Sequence, residues 1–206
     1  MYKRQIIKII NLNKQFCIFS YDQQQCLRRQ EERNNIEEKL SVVASPKKFK
    51  LTDKIRTNKE IADFIRALFN LKISIKKVKR PSIRLHYFQN YDDARAYIEL
   101  QGELGWKTIN YTHDGYKTHP YHNCQTNADD NAHSVIGQEF DNVIGVIDSY
   151  FCYDENKKLS ICNYSKKPYY APVLMLFQIL TRTRKRLSII VINNPEIMKR
   201  CLSALE

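Results

Sequence analysis

The sequence is poor in glycine and contains no long apolar run. Only five of its 206 residues are glycine, and none lies in a Gly-x-x-x-x-Gly-Lys-Ser/Thr phosphate-binding loop. No stretch approaches the roughly 18–20 consecutive apolar residues that a membrane-spanning helix needs. The six cysteines form no C-x-x-C pair, and no secretory signal pattern opens the chain. These absences predict a cytoplasmic protein with reduced thiols that does not insert into a membrane.

Acidic residues are also in the minority, and the chain is strongly basic. It has 34 Lys and Arg against 22 Asp and Glu, a formal net charge of +12. Such an excess suits a polyanionic partner, because each neutralised phosphate releases counterions. For any single basic cluster the alternative is a solvated basic surface. The clusters lie at Arg28-Arg29, Lys47-Lys48, 72–80, Lys166-Lys167 and 182–186.

The polar stretch from Thr112 to Asn131 has turn residues and no periodicity, which predicts a loop near a working surface. It contains the four potential metal ligands His113, His119, His122 and Cys124. A zinc site requires ligands that converge on a tetrahedron, and these four lie in one stretch with no second ligand pair. We therefore expect solvent-exposed histidines here and no metal site.

Helical and strand-like patterns alternate along the chain. One helix is predicted after a cap at Thr57 or Asn58, and the alternation as a whole indicates an α/β domain with a mostly parallel sheet and helices on both faces. In that architecture ligands bind beyond the carboxyl ends of the strands. The apolar stripe of the first helix is Ile61, Phe64, Ile65 and Leu68. Further strands are predicted at 82–88, 105–111, 142–147 and 187–192, helices at 91–104, 172–180 and from Asn194 onwards, and a hairpin at 150–153 and 159–162.

Two segments beside predicted strands resemble nucleotide-contacting motifs of superfamily 1 helicases. Ile136-Gly-Gln-Glu-Phe-Asp141 resembles Gly-x-Glu-Phe-Asp, and Thr181-Arg-Thr-Arg184 resembles Thr-Arg-Ala-Arg. The resemblance implies that Arg182 is an arginine finger. It further implies nucleotide contacts from Gly137, Glu139 and Arg184, and nucleic-acid contacts from His133 and Ser134.

Two upstream segments resemble other motifs of the same proteins. Tyr21-Asp-Gln-Gln-Gln25 resembles Gly-Asp-x-x-Gln, which implies that Asp22 and Gln25 face the nucleotide and that Gln25 senses the γ-phosphate. Lys54-Ile-Arg-Thr-Asn58 resembles the motif that opens the second motor domain, which implies that Arg56 reaches the same phosphate. Arginine suits this role, since its planar fork stays charged and stabilises the charge of a phosphoryl-transfer transition state. Taken singly, these motifs could be a basic helix end, a turn, an exposed arginine and a strand-end cap.

A narrower resemblance covers roughly residues 15–206. The segments 57–65, 87–94, 105–109, 132–143 and 179–187 are similar to the Schlafen group 3-like DNA/RNA helicase domain family. The resemblance implies a RecA-like P-loop NTPase fold, with ATP and Mg²⁺ as cofactors and single-stranded DNA or RNA as partner.

The front half of that pattern is missing, because the chain has neither the phosphate loop nor an acidic pair for magnesium. We expect residues 1–45 to be a remnant of the first RecA-like domain and 46–206 to be the second. Met1-Tyr-Lys-Arg-Gln5 looks like a translated sequencing-library adaptor, which indicates a truncated gene. The chain alone should neither hydrolyse ATP nor hold it stably. The alternatives are a non-catalytic nucleic-acid-binding module and a structural or partner-binding domain.

Overall fold

The computed structural model describes residues 27–28, 38, 41, 57–74, 81–115, 119–165 and 167–205. The part described is an α/β unit around a four-stranded parallel sheet of order β1-β6-β3-β2, with β4 and β5 in a separate antiparallel hairpin. In chain order the elements are α1 (Lys59–Phe69), β1 (Ile83–Phe88), α2 (Tyr91–Glu103), β2 (Lys107–Thr108), a short 3₁₀ helix (Pro120–Cys124), β3 (Phe140–Ile147), β4 (Phe151–Tyr153), β5 (Leu159–Ile161), α3 (Pro172–Leu180), β6 (Thr183–Ile192) and α4 (Pro195–Leu205).

Local capping signals place the first and last helices. The Asn58 side chain accepts a hydrogen bond of 2.8 Å from the Glu60 backbone N–H, and α1 begins at the next residue. Asn194 likewise accepts from the Ile197 N–H at 3.1 Å, directly before Pro195. Both caps satisfy backbone donors that a helix start leaves unpaired. The predicted starts are confirmed, and the predicted stripe of α1 is buried.

The two central strands, β3 and β6, carry apolar residues on both faces, as expected for a buried parallel sheet. Gly145 pairs with Ile189, and a Cβ added at Gly145 would meet Leu180 of α3, so α3 covers that face. His86 points to the opposite face, where its Nε2 lies 3.0 Å from the Tyr97 hydroxyl of α2. The predicted arrangement of helices on both faces is therefore confirmed.

The close approach of α3 to Gly145 predicts that a side chain at this position destabilises the fold. Gly145→Ala should lower the free energy of unfolding by about 1–3 kcal/mol, because the new methyl group has to displace Leu180 from a packed core. Urea unfolding measures the change. Gly102→Ala in α2 is the control, since its Cβ would come no nearer than 4.0 Å to the Thr108 side chain. An unchanged Gly145→Ala protein would mean that α3 is packed loosely on the sheet.

The strand predicted at 105–111 is shorter in the structure. Only Lys107–Thr108 pair with β3, and the chain then continues through a single bridge between Asn110 and Asn131. The Asn110 side chain explains this, because it donates to Ala128 O at 2.8 Å and accepts from the Thr126 N–H at 3.0 Å. These bonds fix the following segment against Asn110 in place of a longer ladder.

Several sequence predictions lie outside the described residues. They include Asp22, Gln25 and Arg56, the boundary between 45 and 46, and the proposed adaptor residues 1–5. Within the described part, no helix has the length and apolar character that crossing a membrane requires.

Candidate functional site

The loops that precede β3 and β6 meet at the amino edge of the sheet, because the two strands are parallel neighbours. Phe140 N–H donates to the Arg182 carbonyl at 2.8 Å. Arg182 Nη1 donates in turn to the carbonyl of Gln138, 44 residues away in the chain, at 3.2 Å. The structure therefore brings the two helicase-like motifs into direct contact.

The pairing of β3 with β6 changes register at this edge of the sheet. Phe140 pairs with Thr183, but Asn142 pairs with Arg186, so β6 has one extra residue between the two pairs. Such irregularities commonly occur beside functional sites. As a result two cations face one carboxylate: Lys185 Nζ lies 2.8 Å and Arg184 Nε 3.9 Å from the oxygens of Asp141. The hydrogen bond from Lys185, followed by the charges of Lys185 and Arg184, lowers the pKa of Asp141.

These segments border an open pocket of about 490 Å³, which we call the amino-edge pocket. Glu139 is exposed and lies on one side of it, and Arg184, with a side chain 56% exposed, lies on another. The lining residues are Gly105, Trp106, Lys107, Glu139, Phe140, Asp141, Asn142 and Arg184. Two of the predicted nucleotide contacts thus share one concave surface.

The Trp106 ring makes cation–π contacts with two arginines. Its ring is largely buried, and the guanidinium carbons of Arg84 and Arg186 lie 5.3 and 5.4 Å from the ring centroid. Arg186 Nε also donates to Asn142 Oδ1 at 2.8 Å. Cation–π contacts of this kind hold exposed arginines in position. Trp106, which lines the pocket, therefore holds two arginines close to it.

Sequence reasoning did not name Arg84, Trp106 or Lys107 as site residues: Arg84 was assigned to a strand, and Trp106 and Lys107 to a strand and to the family-like segment 105–109. Lys107 forms an ion pair with Asp130 and lies 5.0 Å from the Phe140 ring centroid. The hydrogen bond that Lys107 donates to Asp130 is the main cause of the lowered pKa of Asp130. A usable signal was present, since β1, β2 and β6 each carry a basic residue within their first two positions, and parallel strands bring these positions to one edge.

Arg182 and Arg184 occupy different environments. Arg182, the expected arginine finger, is only 4% exposed, and its guanidinium group contacts the backbone of Gln138. Arg184 is the arginine of this motif that lines the pocket. Arg56 itself lies outside the described residues, but the adjacent Thr57 hydroxyl donates to the Thr181 carbonyl at 3.4 Å. The segment that follows Arg56 thus reaches the same edge.

Gly137 has a φ of +86°, in the left-handed region that side chains disfavour. A Cβ at this position would meet nothing within 4 Å. The glycine is thus required by the backbone conformation of the turn and not by crowding. The turn places Glu139 at the pocket.

His133 and Ser134 do not line the amino-edge pocket, but Ser134 lies close to it, because Gln138 Nε2 donates to the Ser134 carbonyl at 2.9 Å. His133 Nδ1 is 2.7 Å from the Thr112 hydroxyl. The Ser134 hydroxyl donates to Asp130 Oδ1 at 3.1 Å. Asp130 in turn pairs with Lys107, a residue of the pocket lining, so one of the two predicted nucleic-acid contacts lies close to the predicted nucleotide contacts.

The histidines of the 112–131 segment differ in exposure: His113 is exposed as predicted, His122 is half-buried and His119 is buried. His119 is 3% exposed, and its Nε2 lies 3.1 Å from Asp114 Oδ2. His122 stacks on His113 at 4.0 Å between ring centroids and accepts from the His119 N–H at 3.1 Å. Burial, followed by the neighbouring histidines, lowers the pKa of His122 to about 4. The prediction of solvent-exposed histidines is wrong for His119, because the pairing with Asp114 compensates its burial. No group of three or more His, Cys, Asp or Glu in the described chain could hold a metal ion.

The carboxyl end of β3 is filled by protein side chains. Asp148 is 1% exposed and accepts hydrogen bonds from the Tyr91 hydroxyl at 3.2 Å and the Tyr150 N–H at 3.0 Å. Burial raises its pKa. The general expectation that ligands bind at the carboxyl edge does not describe the motif residues, which lie at the amino edge.

Comparison of the chain with protein-family models, with curated proteins and with solved structures finds no match. The motifs and their geometry therefore carry the functional interpretation.

Proposed function

We propose that the chain is the C-terminal portion of an ATP-dependent DNA/RNA helicase- or translocase-like protein with a RecA-like P-loop NTPase fold. In this proposal the amino-edge pocket forms the arginine side of a composite ATP site. The supporting observation is that Glu139 and Arg184, from two motifs far apart in sequence, line one pocket. A cytoplasmic location belongs to the same proposal.

The pocket residues suit a nucleotide more than a divalent cation. Arg184 and Lys185 supply positive charge for phosphate oxygens, and the Glu139 carboxylate can accept hydrogen bonds from ribose hydroxyls. Asp130 and Asp141 are engaged with lysines, so neither offers Mg²⁺ a carboxylate without losing an ion pair. Bound ATP would supply the phosphoryl group transferred to water. The phosphate loop and the magnesium ligands would come from sequence upstream of this chain.

Within the proposed site the two arginines of the second motif have different roles. Arg184 faces the pocket and stabilises phosphate charge. Arg182 acts as a positioning residue, because its bond to Gln138 holds the turn that carries Glu139. Its assignment as the arginine finger therefore requires a rearrangement that frees its guanidinium group for the phosphate.

A titration of the ¹⁵N-labelled chain with millimolar ATP tests the proposal by NMR. Amide shifts are expected at 137–142 and 183–186, with weak affinity because half of the site is missing. Amides of α4 serve as the internal control, since they lie outside the pocket lining. Shifts that are absent from the pocket, or equally large in α4, would overturn the proposal.

We expect the chain alone to release no phosphate from ATP. It has no phosphate loop, and its described carboxylates form no candidate magnesium site. A malachite-green assay against a no-enzyme blank provides the measurement. Release above the blank that is lost in Arg182→Ala would contradict this expectation.

A non-catalytic nucleic-acid-binding module is the second candidate. The net charge of +12 and the exposed basic residues Arg184, Lys185 and Arg186 favour it. DNA sequence upstream of codon 6 separates the two candidates, because an in-frame phosphate-loop motif selects the ATPase. Binding of single-stranded nucleic acid that is insensitive to salt would argue against both.

A further inference from the structure

Tyr169 is an exposed aromatic side chain with a cation over one face of its ring. It is 43% exposed, although most large apolar side chains of the described chain are buried. The guanidinium carbon of Arg28 lies 5.8 Å from its ring centroid. The ring of Tyr170 meets it edge-on, with centroids 4.9 Å apart and an interplanar angle of 75°. A flat aromatic surface and a positive charge are thus presented together.

The backbone and neighbouring rings hold this surface in place. Tyr170 pairs with Arg28 in an antiparallel bridge, and Ala171 N–H donates to the Leu27 carbonyl at 3.0 Å. The Tyr170 ring lies 4.4 Å from the His133 ring. We call Arg28, His133, Tyr169 and Tyr170 the aromatic platform. The backbone bridge and the ring contacts restrain Tyr170, so less of its side-chain entropy would be lost when a ligand binds.

An unpaired nucleobase matches this chemistry. Stacking of a base on an aromatic side chain contributes about 1–3 kcal/mol and needs no particular base. An arginine beside the ring supplies charge for the adjoining phosphate, and the chain carries a net charge of +12. We propose that the aromatic platform is a stacking site for one base of a single-stranded nucleic acid, with Tyr169 as the ring that the base contacts.

The site is distinct from the amino-edge pocket, with which it shares no residue. It deepens the proposed function and rests on it only for the identity of the partner, because stacking on Tyr169 requires no ATP. The nine-residue helix α3 separates the platform from Arg182. A substitution in either site therefore leaves the residues of the other site unchanged.

Fluorescence anisotropy with a labelled oligothymidylate tests the site. Tyr169→Ala should weaken binding roughly 5- to 150-fold, the range that loss of one stacked base predicts. Tyr169→Phe keeps the ring and should bind like the parent chain. Tyr87→Ala is the matched control, because Tyr87 is 39% exposed and no described cation lies over its ring; it should leave binding unchanged.

An abasic oligonucleotide of equal length and charge separates stacking from phosphate attraction. The parent chain should bind it more weakly than oligothymidylate, by the same factor that Tyr169→Ala costs. Tyr169→Ala should not distinguish the two ligands. Equal binding of both ligands by the parent chain would overturn the proposal and leave only a basic surface. The parent comparison holds even where a variant fails to fold, and ATP-induced shifts at the amino-edge pocket report separately on the proposed function.

Discussion

Replacing Arg184 with alanine is expected to weaken ATP binding at the amino-edge pocket by about tenfold. Hydrogen bonds to charged groups contribute about 1.5–3 kcal/mol, and the solvent exposure of Arg184 places its contribution at the lower end. The apparent dissociation constant from the NMR titration gives the measurement. Asp141→Asn should act in the opposite direction, since it removes a carboxylate that competes with phosphate for Arg184 and Lys185.

Lys199→Ala is the matched control for this experiment. It removes one exposed positive charge from α4, outside the residues that line the pocket. If it weakens ATP binding as much as Arg184→Ala does, the interaction depends on overall charge and not on the pocket. Arg182→Ala should change the melting temperature as well as the affinity, because it removes the bond to the Gln138 carbonyl.

Acidification from pH 6.5 towards pH 4 is expected to destabilise the packing of the 112–131 segment. The folded protein lowers the pKa of His122 from 6.5 to about 4, because its ring is buried and faces His113 and His119; the carboxylate of Asp114 acts in the opposite direction. The neutral ring is thus favoured in the folded state. Its contribution to stability is fully present above pH 6.5 and is lost as the pH falls through this window.

Urea unfolding of the parent chain and of His122→Asn across this window provides the test. Asparagine can still accept a hydrogen bond from the His119 N–H, but it does not titrate. The variant should be less stable at neutral pH and should show a shallower pH dependence. The lowered pKa values of Asp130 and Asp141 affect stability only below about pH 3.8, outside the window. Burial lowers the pKa of His86 and raises that of Asp148, so the protein loses stability at His86 as the pH falls and at Asp148 as the pH rises. Both groups are present in the two proteins, and their effects cancel in the comparison. Parallel curves would contradict the assignment to His122.

Local signals predicted the fold better than the site. Caps at Asn58 and Asn194 and a proline at 172 mark helix starts, and these depend on neighbouring residues alone. The shortened β2 was not predictable, because the side-chain bonds of Asn110 to residues 126 and 128 end the ladder. Such contacts have no periodic signature in sequence.

The candidate site was predictable in part for a similar reason. The motifs identified Glu139 and Arg184, which line the pocket. They did not show that Arg182 is buried, because its guanidinium group contacts the backbone of Gln138, 44 residues away in the chain. Arg84, Trp106 and Lys107 come together only through the order and register of parallel strands.

Helix α3 lies between the two proposed sites along the chain. It begins two residues after Tyr170, ends two residues before Arg182, and is about 14 Å long at 1.5 Å per residue. Leu180 packs into the space that a side chain at Gly145 would fill, so the last turn of α3 contacts the sheet closely. If binding of a single-stranded nucleic acid near its first turn tilted the helix, the loop that carries Arg182 would shift. If binding at one site changes the other site through α3, the nucleic acid and the nucleotide must alter each other's affinity by the same factor.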